Sequence, residues 1–459
     1  MKVATGLRVR ERVVVHVDSP AARWISALAV LSLSAWLFLL HKDFAWSLTI
    51  LTAVVLIARG IFLGRPVTAG HATAALAVCV VGIAAVFLAF DLLGNLLLVA
   101  SAVVLMAPTS ARPNPADLPR IFALVAATAN DPLAPFAMQA SKCYHFSADG
   151  TAAVAYRTRL GFAVVSGDPI GNEDRFPVLV ADFAAMCHTR GWRIVVLGCS
   201  QRRVALWTDS VVFGRKLTAV PIGRDVVIDV ATFDMVGRKY RNLRQAVQRT
   251  KNFGVTTEVV DEQGLSAGLL AELTDVILTS PRGARTERGF SMCLDGALEG
   301  RYPGVSLIVA RDKVGRVQGF HRYATAGGGS EVSLDVPWRR RGAPNGIDER
   351  LTVDMIAIAK ERGAQRLSLA FAAFPEIFTD KNRNLTRSLV FTAVHLGDPL
   401  IALESLYRYL RKFHTLGDRR YVMATLTQLV PLLIVLLSLE FMPRRRHLTS
   451  ASVRQASST

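Results

Sequence analysis

Asp335 and the arginine run that follows it, Arg339 to Arg341, could do chemistry, and they sit in one stretch, Glu331 to Lys360. Val332, Leu334 and Val336 alternate there with Ser333, Asp335 and Pro337, the pattern of a half-buried strand that stops at the proline. A carboxylate at that point could take a proton from an attacking hydroxyl or hold an amine. A nearby guanidinium could neutralise developing negative charge. The plainer alternative is an ion pair between Asp335 and a neighbouring arginine. A loop with Arg341, Gly342, Pro344, Asn345 and Gly346 follows. Ile347, Leu351, Met355 and Ile356 then recur on one helical face, with Asp348 and Glu349 in the first turn, where the helix dipole favours acids. Such a loop is either a phosphate cradle at a helix N-terminus or a surface turn with solvated arginines. His321, in GFHRY, is a weaker base candidate than Asp335, and a satisfied strand histidine is the default.

Three further stretches carry candidate residues. Lys239 to Lys251 reads as a basic helix with Arg241, Arg244 and Lys251 roughly on one face and Leu243 and Val247 on the buried side. That face suits the phosphates of a nucleic acid or lipid headgroups, with a solvated surface as the alternative. Pro281 to Ser291, with Arg285, Phe290 and Ser291, reads as a basic loop able to close over a substrate or simply as mobile surface. Gly167, Asp168, Pro169, Ile170 and Gly171 follow a strand directly and read as a turn.

The elements around these residues fall into a membrane part and an α/β part. Ala22 to Leu40, Phe44 to Leu63, Ala72 to Phe90 and Leu92 to Met106 form four apolar runs, the first three near the ~20 residues a bilayer needs and the fourth shorter. Basic residues in the N-terminal arm and at Arg59 and Arg65 place the N-terminus, and with four crossings the region after Pro108, in the cytoplasm. The net charge of +18 indicates a polyanionic partner, either nucleic acid or an anionic membrane. The five cysteines show no CxxC, which reads as buried thiols in a reducing compartment and no metal site. The expected order is a basic arm (1–21), transmembrane helices (22–107), a linker (108–117), two α/β domains (118–230 and 231–420), an apolar membrane-associated helix (421–442) and a polar tail (443–459). Nothing in the sequence sets an oligomeric state.

Taken together and in order, GDPIG (Gly167 to Gly171), RNLRQAVQR (Arg241 to Arg249), GFS (Gly289 to Ser291), SLD (Ser333 to Asp335), APNG (Ala343 to Gly346), Lys412-Phe413 and Arg420-Tyr421 resemble the synthase module of the phosphatidylglycerol lysyltransferase family. The resemblance covers Leu118 to Tyr421. It implies two tandem GNAT-like acyltransferase domains behind the membrane anchor, and transfer of an amino acid from aminoacyl-tRNA to the hydroxyl of an anionic lipid. The tRNA is a co-substrate and no cofactor or metal is implied. Carried onto these positions, it implies catalytic roles for Asp335, Arg339 and Arg340. It implies tRNA or phosphate binding by Lys239, Arg241, Arg244, Arg249, Arg341, Asn345 and Gly346. Lipid or substrate-channel roles fall to Arg285, Phe290, Ser291, Lys412 and Arg420, and a structural role to Gly167, Asp168, Pro169 and Gly171. The chain departs from the family pattern at Trp338, where an arginine is usual; this shifts the arginine role to Arg339 or Arg340. The competing readings are a membrane-anchored N-acyltransferase using acyl-CoA and a non-catalytic module that binds anionic lipid or RNA.

Overall fold

Between Ala22 and Met106 the chain carries few groups that demand water, so its backbone must satisfy itself by helix formation. The computed structural model shows α1 (Pro20–Leu40), α2 (Phe44–Phe62), α3 (Ala69–Phe87) and α4 (Asp91–Leu105). The structure describes residues 13–15, 20–40, 44–209, 213–214, 216–280, 286–287, 289–373, 409–425, 429–440 and 444–445. Two of these helices, over Ala45–Phe62 and Ala69–Phe87, are long and apolar enough to cross a membrane; α4, at 15 residues, is shorter. α3 and α4 approach backbone to backbone: a Cβ on Gly94 would lie 2.3 Å from Val86 Cγ2 and 2.8 Å from Gly82 O. Small residues allow this in helix pairs that gain nothing from water. A short pair, β1 (Val13–Val15) with β2 (Val67–Thr68), belongs to the same unit, which comprises 1–111 with 158–163 and 182–194.

The remaining chain, 112–157 with 164–181 and 195–459, forms the second unit. Along the chain, α5 (Leu118–Ala127) precedes the strands β3 (Cys143–Phe146), β4 (Ala152–Arg159), β5 (Phe162–Ser166), β6 (Ile170–Gly171), β7 (Arg193–Ser200), β8 (Thr218–Asp229), β9 (Thr256–Asp261), β10 (Thr286–Glu287), β11 (Val305–Arg311), β12 (Val317–Ala326), β13 (Glu331–Arg339), β14 (Arg366–Ala373), β15 (Arg419–Ala424) and β16 (Arg444–Arg445). Twelve of them make one mixed sheet in the order β3-β4-β5-β7-β15-β8-β14-β13-β12-β11-β9, with β6 paired to β4. β10 pairs with β16. Helices along the same stretch include α6 (Phe176–Thr189), α7 (Arg241–Asn252), α8 (Ala267–Thr279), α9 (Ile347–Glu361) and α10 (Leu429–Glu440).

Strand alternation explains the layers. Ile308 and Ala310 pack with Leu243 of α7 and Leu351 and Met355 of α9. Leu307 and Val309, pointing the other way, pack with Leu273, Val276 and Ile277 of α8. β13 and β14 run parallel and are joined through α9, as a parallel crossover requires.

The largest correction concerns the C-terminal end. Tyr421 to Ala424 do not open an apolar helix. They belong to β15, inserted between β7 and β8, and the helix begins only at Leu429. In sequence, Pro399 to Phe413 reads as an amphipathic helix; residues 399–408 lie outside the described residues, and Arg411–Phe413 form a single 3-10 turn.

Candidate active site

The pairing of β12 with β13 slips by one residue: Arg322 faces Val336 while Tyr323 faces Leu334. Asp335 is the extra residue of this bulge, a feature that turns a side chain away from its regular direction. Its Oδ2 lies 2.8 Å from Arg322 Nη1, and its Oδ1 accepts a hydrogen bond from Leu294 N at 2.9 Å. Arg322 Nη2 reaches Glu262 Oε2 at 2.8 Å, and Glu262 Oε1 accepts from Leu298 N at 2.6 Å. The three charged side chains have no exposed surface. Two carboxylates therefore share one guanidinium, and each also fixes a backbone amide of the segment 294–298.

Arg322 is a residue the sequence reading missed. The signal was available: Phe320, Arg322 and Ala324 alternate along one face of an apolar strand, and an arginine there needs a buried anion. The guanidinium beside Asp335 is thus neither Arg339 nor Arg340. Arg339, half exposed, faces Asp348 at 3.5 Å. Arg340 is buried, donates from Nε to Val317 O at 2.7 Å and pairs with Asp275 at 2.5 Å. Trp338 packs on Phe320, ring centroids 5.1 Å apart, within the α8 layer. His321 points to the opposite face, where its Nε2 lies 3.2 Å from Asp348 Oδ1.

Burial pushes the Asp335 carboxyl up to about 6, against the opposing pull of Arg322. An unfolded aspartate titrates near ~3.9, so the folded chain holds this proton over an interval in which the unfolded chain has released it. The contribution is complete below about pH 4 and is lost as pH rises through 6. Asp335→Asn removes the titration. The stability of the parent relative to Asp335→Asn is expected to fall by roughly 2–3 kcal/mol between about pH 4 and 7, read as thermal melts across that range. An unchanged difference would show that Asp335 does not titrate there.

A second buried charge cluster gathers around Arg420. Its Nε lies 2.7 Å from Asp225 Oδ2, its Nη2 2.9 Å from Asp131 Oδ1 and its Nη1 3.7 Å from Asp168 Oδ2. Arg420 Nη1 also donates to Gly198 O at 3.0 Å. Asp168, of GDPIG, accepts from Ser200 N at 3.0 Å. Burial raises the Asp225 carboxyl to about 6 while Arg420 opposes it; burial, then the Asp131 charge, raises Asp168. Arg420, expected in a substrate channel, is enclosed at 2% exposure and joins GDPIG to β7, β8 and β15. Gly167 and Gly171 have φ of +72° and +95°, and a Cβ on Gly171 would lie 2.2 Å from Thr151 O.

The remaining motifs also meet in pairs. Gly346 caps α9 with φ +101°, and a Cβ there would stand 2.7 Å from Ala246 O in α7. Gly346→Ala is therefore expected to cost on the order of 1–3 kcal/mol through strain and overpacking, seen as a lowered Tm. Arg341 and Asn345 are exposed beside it. Lys412 pairs with Glu349 in the first turn of α9. Lys239, Arg241, Arg244 and Arg249 are exposed, while Leu243, Ala246, Val247 and Thr250 are buried. Arg244 donates to Gly237 O at 2.8 Å. Phe290 and Ser291 are buried; their amides donate to Glu440 Oε2 and Oε1 at 3.0 and 2.9 Å. Arg285 lies outside the described residues. Among the described residues no group of His, Cys, Asp or Glu is arranged to hold a metal ion.

Comparison with known proteins adds to this geometry. Residues 122–424 match the model of the family described as phosphatidylglycerol lysyltransferase, C-terminal. The MprF-like domain protein of Mycobacterium tuberculosis is 64% identical over 97% of this chain and 95% of its own length. The lysylphosphatidylglycerol biosynthesis bifunctional protein LysX of Rhodococcus jostii is 32% identical over 56% of this chain; the match spans 22% of that protein. In fold, the chain is similar to L-PGS from Bacillus licheniformis (21% identity, TM-score 0.58, 73% of this chain and 98% of that one). It is also similar to a C-terminal DUF2156 domain from Agrobacterium fabrum (21% identity, TM-score 0.60, 72% and 100%). With two thirds of its length under one family model and a close relative along nearly all of it, the chain belongs to the phosphatidylglycerol lysyltransferase C-terminal family.

Proposed function

We propose that this chain transfers an amino acid from an aminoacyl-tRNA to a hydroxyl of a membrane lipid such as phosphatidylglycerol. The observation that carries the reading is the family match over residues 122–424, which contains Asp335, its bulge and the motifs that meet around it. The lipid hydroxyl oxygen attacks the aminoacyl ester carbonyl, a new ester bond forms, the bond to the tRNA ribose oxygen breaks, and the hydroxyl proton ends on that oxygen. Binding two large substrates in register supplies much of the acceleration in such a transfer.

Asp335 is read as a positioning residue, because both its oxygens are engaged and it has no exposed surface. It fixes Arg322 and the backbone at Leu294. Arg339, Arg341, Asn345 and the α9 N-terminus are the groups open to a phosphate, and the exposed arginines of α7 suit the tRNA backbone. The apolar helices α2 and α3 support a membrane anchor, with the α/β unit on the cytoplasmic side. The two sheet halves that meet at β8 and β15 are read as tandem GNAT-like domains. Adding a basic amino acid to phosphatidylglycerol would reverse the headgroup charge and weaken attraction of cationic peptides.

Membranes holding the full chain are incubated with tRNA charged with labelled amino acid, and lipids are extracted. Label that enters lipid and is abolished by ribonuclease supports the reading; no transfer with any amino acid overturns it. Replacing Lys239, Arg241, Arg244 and Arg249 by alanine is expected to raise KM for aminoacyl-tRNA at least about tenfold and flatten its salt dependence, with kcat little changed.

A further inference from the structure

We propose that the Gly289–Ser291 turn is a binding site for the phosphodiester of the acceptor lipid, and that Glu440 occupies it as an intramolecular stand-in. The inference rests on the lipid-aminoacylation reading above. Three donors converge on the Glu440 carboxylate: Phe290 N to Oε2 at 3.0 Å, Ser291 N to Oε1 at 2.9 Å and Ser291 Oγ to Oε1 at 2.6 Å. Successive backbone amides aimed at one anion form a nest. The donors divide between two oxygens. A tetrahedral acyl intermediate offers one oxyanion, whereas a phosphodiester, like a carboxylate, offers a pair.

Groups other than Glu440 set this turn. Gln139 Nε2 donates to Gly289 O at 3.2 Å and to Cys293 O at 2.9 Å. Because a trans peptide holds its carbonyl and N–H on opposite sides, anchoring Gly289 O aims Phe290 N–H away from Gln139 and into the nest. Gly289 has φ +107°, and a Cβ there would meet Cys293 Sγ at 2.9 Å. Three residues on, Leu294 N is held by Asp335. The fully buried Lys142, whose Nζ donates to Phe136 O and Ser166 Oγ at 2.7 Å, lies 5.0 Å from the Phe290 ring centroid behind the turn.

Glu440 reaches the nest from the end of α10, where Leu433, Ile434 and Leu437 are exposed. Beyond it, β16 pairs with β10, so the C-terminal segment straps the turn at two points. An exposed apolar face beside a bound carboxylate suits a helix that exchanges this seat for a bilayer surface, clearing the nest for a headgroup.

The test uses the full chain in neutral detergent, titrated calorimetrically with dihexanoyl-phosphatidylglycerol and, separately, with inorganic phosphate. Glu440→Gln is expected to tighten binding of the short-chain lipid at least fivefold, and adding Ser291→Ala to reverse the gain. Glu440→Ala, which also removes the competing carboxylate, is expected to tighten lipid binding at least fivefold, which keeps the test open if Glu440→Gln does not fold. Tightening for inorganic phosphate alone retains the anion site and overturns the lipid assignment. No change with either probe, or weaker binding by a folded Glu440→Gln chain, overturns the proposal and leaves Glu440 a structural clasp. No tRNA is present, so failure here with intact transfer refutes this site alone, and failed transfer refutes the function reading alone.

Discussion

Arg322→Met is expected to destabilise the chain by about 3–5 kcal/mol, the usual cost of removing one partner from a buried ion pair, and to abolish lipid aminoacylation. The reason is geometric. Among the described residues no other cation stands against Glu262 or Asp335, and neither side chain has exposed surface, so each would remain charged in a dry site or take up a proton. Arg322→Lys should recover little, since one ammonium cannot reproduce two guanidinium contacts on different nitrogens. Adding Glu262→Gln and Asp335→Asn to Arg322→Met removes both charges while keeping carbonyl oxygens for Leu298 N and Leu294 N, and should restore part of the stability. Thermal melts of the three variants decide the matter. A single Arg322→Met chain that melts with the parent would show that the triad is not formed.

Arg420→Met is expected to have the larger effect on folding, because three carboxylates lose one shared cation. A loss of at least about 3–5 kcal/mol follows from the same argument, enough to prevent accumulation of folded chain near pH 8. The pH dependence gives a sharper reading. Burial already raises Asp225 to about 6 against the pull of Arg420 and raises Asp168 as well, and without Arg420 both carboxyls move further up. A group with a raised folded pKa contributes most below its unfolded pKa and loses that contribution as pH rises. The variant should therefore gain stability relative to the parent as pH falls from 8 toward 5. Near-ultraviolet circular dichroism at the two pH values tests this; a deficit that is constant or grows in acid contradicts it.

The sequence discloses the elements around the site better than the partnerships within it. Strand alternation marks β13, and the spacing of Ile347, Leu351 and Met355 marks α9, because these patterns are local. The meeting of Arg322 with Glu262 spans 60 residues and that of Arg420 with Asp131 spans 289, and topology alone chooses those partners. Local composition actively misdirects at Arg420. Arg419 and Arg420 followed by YVMA and a long apolar run read as the basic flank of a membrane segment. A buried central strand and an apolar helix separated by a few residues produce the same string. The guanidinium beside Asp335 was hidden for a related reason: sequence adjacency points to Arg339 or Arg340 on the same strand, whereas the bulge turns Asp335 toward Arg322 on the strand beside it.

The central position of β15 has a consequence for biosynthesis. Arg420 bonds to Gly198 across 222 residues of chain, so β7 and β8 stay unjoined until translation has passed residue 424. At ~5–20 residues per second, a ribosome needs on the order of ten seconds or more to travel from β8 to β15. During that time two inner strands present open edges, the kind of surface that templates aggregation. A nascent chain interrupted before Arg419 would keep those edges permanently, and its α/β unit should go to degradation or inclusion bodies rather than persist as a smaller enzyme.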